Sequence, residues 1–251
     1  MKALFNAIIY QPIFNLFVGL YLLVPDMGAV ILLVTLIIKI VLYPLTKKSI
    51  KAQKELSELQ PKLEAIKKTH KGDQQAIAQE TMKIYKEHKV NPFGSCLPLL
   101  VQLPIFLALY WVFQAGLTSN NFDLLYPFIK NPGTLNTMTL GFLDLAKPNV
   151  ILAVLAGLTQ FWQAKMMLTK RPPKAAGEGG KDEDMATMMN KQMLYFMPAL
   201  TVFIGMSFPG GLALYWIFST LFTIAQQYLV FGKKSVTGNP AIIEGEIVDK
   251  K

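Results

Sequence analysis

Five long apolar runs constrain this chain more than any other feature of its sequence. They are residues 27–45, 95–117, 150–168, 193–208 and 211–231. Each is long enough, or nearly so, to cross a hydrocarbon core of about 30 Å, because a helix rises about 1.5 Å per residue. The chain is 16% charged, whereas soluble domains are about 25% charged. The pattern predicts an all-α polytopic membrane protein with a five-helix transmembrane core.

The runs divide the chain into membrane and loop segments. Pro209, Gly210 and Gly211 separate the last two runs, so we expect these to form a tight helical hairpin. The predicted segments are an N-terminal interfacial helix (1–25), a first span (26–46), a cytoplasmic helical hairpin (47–93), a second span (95–117), an outer loop (118–148), a third span (149–169), a cytoplasmic loop (170–190), a fourth span (191–208), a fifth span (210–231) and a cytoplasmic tail (232–251).

The distribution of lysine predicts the orientation of the spans. Residues 46–93 carry eleven Lys against six acidic residues, and further positive charge lies in 169–191 and at Lys233 and Lys234. Five crossings put these three segments on one side of the membrane, which the positive-inside rule makes the cytoplasm. We therefore expect a multi-pass protein with its N-terminus outside and its C-terminus in the cytoplasm.

The first 25 residues are apolar but interrupted by Asn6, Gln11, Pro12 and Asn15. With one leading lysine and no small-residue cleavage site, they make a poor signal peptide. They can lie in the interface as an amphipathic helix or cross the membrane as an extra span. Charge does not separate these placements, because both keep the lysine-rich segment in the cytoplasm. We favour the interfacial placement.

The lysine-rich segment 47–93 has the composition of two helices, with a break at Lys71, Gly72 and Asp73. A thin apolar stripe on the first helix consists of Ile50, Leu56, Leu59, Leu63 and Ile66. So few apolar residues predict a mobile, mostly solvated hairpin near the lipid headgroups. Its charge fits contact with anionic lipid, which we favour, or a dedicated partner surface.

Neutral polar side chains recur within the spans, several of them at the three- or four-residue spacing that puts residues on one helix face. They are Thr35 (with Lys39), Gln102, Thr159 with Gln160 and Gln163, and Ser219, Thr223, Gln226 and Gln227 with Thr220 beside them. For any single hydroxyl or amide, a bond between helices is the simplest role. Because four spans contribute polar groups around one lysine, the set as a whole predicts a hydrated cavity.

Lys39 is the only charged residue of the first run. It lies about 10 Å below Thr46 by helical rise, so its side chain can snorkel toward the headgroups or line the cavity. Periodicity alone leaves both options open. No span interior contains Asp, Glu or His. An inward-facing Lys39 must therefore be solvated by water and by amides such as those of Gln102 or Gln226.

Missing chemistry argues against several classes of protein. Proton-coupled transporters and intramembrane aspartyl or metalloproteases need acidic residues or histidine at depth. The single cysteine, Cys96, excludes an internal disulfide and a multi-cysteine metal site. No glycine-rich phosphate loop is found. We therefore expect no enzymatic activity, cofactor, metal or DNA partner. A Ser219–Lys39 pair is a minor enzymatic alternative without a readable oxyanion site.

Several motifs occur in a specific order. They are Tyr43-Pro44-Leu45-Thr46, Asn91-Pro92, "CLPLLVQLPIF" at 96–106, "FPGGL" at 208–212 with Tyr215-Trp216, and "QQYL" near the end. Over residues 4–232 the chain thereby resembles the YidC/Oxa/Albino family of membrane protein insertases. Since no large outer-side domain stands between an N-terminal span and the core, the resemblance is to a short bacterial form.

The resemblance implies a groove that is open to the cytoplasm and to lipid and closed on the outer side. The hydrophilic part of an incoming segment rests there. Lys39 stands where the family normally has Arg, Thr35 lies one turn earlier, and Trp216 matches a substrate contact. Lys keeps the charge but loses bidentate hydrogen bonding. Thr220 stands where an Asn is usual, which weakens one polar contact.

The resemblance also implies what the protein does and where. The implied function is insertion and folding of integral membrane proteins at the bacterial inner membrane, without a cofactor. Nascent membrane proteins and the lipid bilayer are the implied partners, and the ribosome and the Sec translocon are further candidates. The alternative from another class is a channel or transporter with Lys39 as an anion site. It requires polar residues in the outer half of the spans, which is nearly all apolar here.

Overall fold

The computed structural model describes residues 2–70, 72–91, 94, 97–114, 122–167 and 192–232. These residues form a bundle of helices with one short β ribbon. The predicted all-α class is confirmed. The apolar runs become helices because a backbone surrounded by apolar side chains and lipid must satisfy its hydrogen bonds within its own segment.

The described residues form eight helices, α1 to α8, and two strands, β1 and β2. In chain order they are α1 (Lys2–Phe5, a π-helical turn Asn6–Tyr10, and Gln11–Leu23), α2 (Met27–Val41), α3 (Tyr43–Thr69), α4 (Gln74–Glu87), α5 (Leu97–Gln114), β1 (Met138–Thr139), β2 (Leu143–Asp144), α6 (Val150–Met167), α7 (a π-helical turn Gln192–Phe196 and Met197–Gly205) and α8 (Gly210–Gly232).

Both π-helical turns stand directly before the helical segment that carries a proline, Pro12 in α1 and Pro198 in α7. Proline cannot donate the usual bond four residues back, and its ring clashes with that carbonyl. A wider turn relieves the clash without ending the helix. The junction residues Tyr10 and Phe196 accordingly keep right-handed helical dihedral angles.

A sharp bend separates α2 from α3. The two axes differ by 72°, and Leu42 between them has φ −86° and ψ 0°. Pro44 explains the break, because it cannot donate to the carbonyl of Ile40. The first predicted span extended to residue 46. In the structure the straight helix α2 ends at Val41 and α3 begins at Tyr43, so the predicted span includes the bend and the first residues of α3.

Helices α3 and α4 form the helical hairpin, with its turn at the predicted break. Gly72 has φ +86°, and the Asp73 carboxylate caps α4 by accepting from the N–H groups of Gln75 and Ala76. At the base of the hairpin, the Ser49 hydroxyl donates to the Gly94 carbonyl at 2.8 Å. The buried members of the apolar stripe are Ile50, Leu59 and Leu63.

Residues 122–148 lie across the opposite end of the bundle, which we call the capped end. The buried Asn15 of α1 holds this segment, since its amide nitrogen donates to the Leu124 carbonyl at 2.9 Å and its oxygen accepts from the N–H of Tyr126. The phenolic oxygen of Tyr21 accepts from the N–H of Asn136. Side chains of α1 thereby hold the main chain of the cap.

A two-stranded antiparallel ribbon completes the cap. Met138 pairs with Asp144 and Thr139 with Leu143. The Asp26 carboxylate, at the N-terminus of α2, accepts from the Thr139 hydroxyl and from the N–H groups of Ala29 and Leu140. One carboxylate thus caps α2 and fixes the ribbon at the same time.

The apolar core of the bundle lies toward the capped end. It includes large side chains with at most 2% of their surface exposed. They are Phe14, Phe17, Val18, Met27, Val30, Ile31, Val34, Val112, Phe113, Leu145 and Leu212. The first turn of α8 is packed tightly into this core, because a Cβ at Gly211 would lie 2.7 Å from the Phe113 ring.

Length and composition allow two of the described helices to cross a membrane, or three if the bent pair forms one span. These are Ala3–Leu23, Val150–Met167 and the pair Met27–Val41 with Tyr43–Leu59. Apolar helices below that length are Leu100–Phe113 and Leu194–Gly205. The five crossings, their orientation and the interfacial position of residues 1–25 stay predictions. The loop 170–190 and nearly all of the tail 232–251 lie outside the described residues.

Candidate functional site

A polar groove of about 270 Å³ lies between α2, α3, α5, α6 and α8, on the side of the bundle away from the cap. Its polar lining comes from all five helices. Its apolar lining residues are Ile38, Leu42, Leu45, Ile50, Val101 and Ile105. A cavity of this size holds several water molecules, since one water occupies about 30 Å³ in the liquid.

Lys39 connects two helices across the groove. Its Nζ donates to Thr223 Oγ1 at 2.9 Å, and the Thr223 hydroxyl donates to the Ser219 carbonyl at 2.9 Å. Lys39 is partly buried, and among the described residues no carboxylate pairs with it. An ammonium group has three N–H donors. The single bond to Thr223 therefore leaves donors for groups that enter the groove.

Amides and hydroxyls build the remaining polar wall. Gln102 of α5 donates to the hydroxyl of Tyr215 on α8. The Thr201 hydroxyl of α7 donates to Oε1 of Gln160 on α6. Thr35 donates to the carbonyl of Ile31 in its own helix at 2.6 Å. These bonds fix the side chains in position, so the wall is preformed.

Trp216 borders both the groove and a small apolar recess between α5, α6, α7 and α8. Its ring meets the Phe106 ring edge to face at 5.6 Å, and Phe208 lies against both Phe106 and Tyr110. The polar groove therefore has an aromatic boundary on the side of α5 and α7.

Nine of the ten residues predicted for the groove line this cavity. They are Thr35, Lys39, Gln102, Gln160, Gln163, Trp216, Ser219, Thr220 and Thr223. The tenth, Gln226, does not line it and is buried one turn further along α8. Lys39 lines the cavity, which is one of the two options that the sequence leaves open for it.

Four further polar residues of the groove were absent from the prediction, namely Thr46, Ser49, Gln53 and Tyr215. Thr46, Ser49 and Gln53 continue the helical spacing of Thr35 and Lys39, so the periodicity of the sequence is sufficient to place them on the same face. The predicted boundary at residue 46 assigned the last two to a solvated hairpin. Tyr215 adjoins Trp216, but only the fold reveals that its hydroxyl meets Gln102.

The groove ends where the apolar core begins. Thr35 is its deepest lining residue on α2, and the next turns of that helix toward the cap carry the buried Val34, Ile31 and Val30. In the described part of the chain no group of three or more His, Cys, Asp or Glu could hold a metal. The site therefore consists of one ammonium, several neutral dipoles and an aromatic edge.

Comparison with known proteins identifies the family that the chain resembles in sequence. Residues 19–236 match the model of the family described as 60Kd inner membrane protein. Three bacterial proteins named membrane protein insertase YidC are similar to the chain. The protein from Histophilus somni (strain 2336) is 38% identical over 223 residues, 89% of this chain and 36% of that protein.

The other two relatives differ in how much of their length is matched. The Fusobacterium nucleatum subsp. nucleatum protein is 38% identical over 210 residues, 84% of this chain and 88% of that protein. The protein from Francisella tularensis subsp. novicida (strain U112) is 35% identical over 208 residues, 83% of this chain and 33% of that protein. The chain thus spans about a third of the length of the Histophilus and Francisella proteins, and most of the length of the Fusobacterium protein.

Apolar helices and a half-buried lysine define an α-helical membrane protein with a polar groove between its helices. Its helices and its family match place the chain among bacterial inner-membrane proteins. The chain belongs to the 60Kd inner membrane protein family.

Proposed function

We propose that the chain is a membrane protein insertase, which carries short polar segments of new membrane proteins into the bilayer and helps the inserted proteins to fold. The observation that carries this proposal is Lys39, a partly buried cation at a groove of about 270 Å³, bonded to Thr223 and without an acidic partner among the described residues. A cation kept in that position costs free energy. We infer that it is retained for function.

The mechanism is physical and involves no covalent step. A carboxylate or peptide group that enters hydrocarbon loses its hydration, at a cost of several kcal/mol per unpaired group (about 2–7 for a neutral amide). The groove replaces part of that hydration with the Lys39 ammonium, the amides and the hydroxyls. The substrate's own apolar segment then leaves into lipid, where burial of its side chains is favourable.

Closure at the cap favours insertion over conduction. A channel or transporter with Lys39 as an anion site needs a polar path through both halves of the bundle. Here the half beyond Thr35 is filled by the buried side chains of Val30, Ile31 and Phe113. A groove that opens at one end suits cargo that enters from that side and leaves sideways into lipid.

The proposal includes an orientation. The capped end faces outward and the helical hairpin lies in the cytoplasm, with the N-terminus outside, the C-terminus inside and residues 1–25 in the outer interface. Nascent membrane proteins enter from the cytoplasmic side, so the ribosome (at the tail) and the Sec translocon are the proposed partners besides lipid. The excess of lysine in 46–93 supports this orientation.

Reconstitution tests the proposal. Purified protein in otherwise protein-free liposomes should insert a single-span substrate with a short acidic leading segment, scored by protease protection of that segment. Empty liposomes give the background. A chloride flux assay on the same vesicles tests the rival function. Insertion no faster than in empty vesicles rejects the proposal, and chloride flux without insertion supports the channel.

A further inference from the structure

Two adjacent glutamines near the end of α8 have amide atoms without partners. In the part of the chain that the structure describes, the buried side-chain atoms without a hydrogen-bond partner are Oε1 of Gln226 and both Oε1 and Nε2 of Gln227. Gln227 has 0% and Gln226 9% of its surface exposed. Buried polar groups in proteins are nearly always paired, so each exception needs an explanation.

The position of these amides relates them to the groove. They follow Thr223, the partner of Lys39, by three and four residues and therefore lie one helical turn beyond it, away from the cap. Gln102 and Gln160, which line the groove, both have partners. The unpaired amide atoms thus lie beside the polar groove, one turn beyond the threonine that accepts from Lys39.

Their chemistry indicates the kind of group that would pair with them. A carboxamide offers two N–H donors and one carbonyl acceptor. In an extended polypeptide, the N–H and the C=O of one residue point to the same side, as the paired bonds of antiparallel strands require. A single carboxamide can therefore bond both main-chain groups of one residue. Gln226 Oε1 adds an acceptor for a neighbouring N–H.

We propose that Gln226 and Gln227 form a subsite that binds the main chain of an extended segment of the incoming polypeptide. The inference rests on the proposed insertase function and adds that the substrate is bound here through its peptide groups, whatever its side chains. Peptide groups of an unfolded segment are its most numerous polar groups, and each is costly to bring into hydrocarbon without a partner.

Access to Gln227 requires movement, because it is closed from solvent in this conformation. Helix α8 packs against both α3 and α6. The 72° bend at Leu42 joins α3 to α2 through a single non-helical residue. A tilt of α3 about Leu42 is the movement through which we expect the segment to reach the two amides.

The test removes one hydrogen-bond donor from the substrate. A semisynthetic single-span substrate carries an ester in place of one main-chain amide, scanned along its polar segment. In the Gln227→Leu protein the ester substrate should insert faster than the amide substrate, because a donor no longer needs desolvation. In the wild-type protein, the ratio of the ester rate to the amide rate should be about 3- to 10-fold smaller at one or two positions. There the ester also loses a hydrogen bond to the glutamines, and one net hydrogen bond contributes a factor of this size.

Controls distinguish a main-chain subsite from a purely structural role of the two glutamines. Thr159→Val removes a hydroxyl that donates to the Ala156 carbonyl of its own helix, and it should keep the wild-type ester effect. Gln226→Leu serves as the second variant if Gln227→Leu does not fold. Equal ester effects in wild-type and variant proteins overturn the subsite and leave buried water or helix packing as the role. If wild-type protein inserts neither substrate above background, the proposed function itself fails.

Discussion

The two ends of the bundle are built on opposite principles. At the capped end, Met27, Val30 and Phe17 have at most 1% of their surface exposed. The side-chain oxygens of Asn15 and Asp26 there all accept hydrogen bonds from the cap. At the groove end, Lys39 lies partly buried without an acidic partner among the described residues, beside a cavity of about 270 Å³.

The difference teaches where stability and function reside. Packing and satisfied hydrogen bonds at the capped end supply the free energy of folding. The groove end carries Lys39 without an acidic partner and unpaired amide atoms of Gln226 and Gln227 among the described residues, and costly groups of this kind are common at functional sites. A mutation at the capped end should therefore mainly lower stability, and a mutation at the groove end should mainly lower activity.

The largest effect should come from Phe113→Ala at the capped end. The ring is 1% exposed, stacks edge to face on Phe17 at 5.7 Å and fits against Gly211. We expect a loss of about 3–5 kcal/mol in the free energy of unfolding, measured by denaturant titration in mixed micelles. Ile38→Ala in the groove wall is the control and should lose less than half as much. Similar losses at both sites would contradict the contrast.

The next effect concerns Lys39. Lys39→Ala should slow insertion about thirtyfold, equivalent to ~2 kcal/mol, because the groove loses its ammonium. Lys39→Arg keeps the charge and should stay within about threefold of wild type. Unfolding in micelles should show no loss of stability for Lys39→Ala, since an unpaired, partly buried charge is removed. Equal insertion by the Ala and Arg variants would exclude a required charge.

Asp26→Ala should have an intermediate effect at the capped end. The change removes the acceptor of Ala29, Thr139 and Leu140, at a cost of about 1–3 kcal/mol. Amide hydrogen exchange should accelerate at Leu140 and at the start of α2. Asp26→Asn keeps one carbonyl oxygen and should lose less. Unchanged exchange at Leu140 would show that the cap is held by its apolar contacts alone.

The smallest effect is the pH dependence of the ribbon. The Thr137 hydroxyl, the N–H of Ala146 and the Lys147 ammonium hold the pKa of Asp144 below its ordinary 3.8. A lowered folded-state pKa stabilises the ribbon above about pH 4, and the contribution is lost as the pH falls through the folded-state value. The protection of the Ala146 N–H, which is its exchange rate relative to the intrinsic rate at the same pH, should therefore fall at low pH in wild type. An Asp144→Asn protein with the same pH profile would disprove this.

Much of the helical order could be predicted from the sequence, since the apolar runs and the breaks at Gly72 and Pro209 are local signals. The groove could be predicted largely as well, because helical spacing puts Ser219 and Thr223 on one face and the family motif singles out Lys39. Roles for these residues as a substrate site stay predictions.

The rest depends on contacts between distant residues. The pairing of Asn15 with Leu124 and Tyr126 joins segments more than 100 residues apart, and periodicity contains no such information. Helical spacing puts Gln226 on the same face of α8 as Thr223, but that face is wider than the groove. Whether Gln226 lines the groove therefore depends on how α8 is rotated against its neighbours. The bend at Leu42 did have a local cause in Pro44, but the apolar run continues through it.

The bond between Ser49 and Gly94 has a consequence for how the chain tolerates change. It joins two residues that are 45 positions apart and that enclose the helical hairpin, with Ser49 Oγ 2.8 Å from the Gly94 carbonyl oxygen. Closing a longer or shorter loop at the same two points changes its entropy only slowly with length. We therefore expect the tip of this segment near Gly72 to accept added or removed residues with little effect on the position of α5.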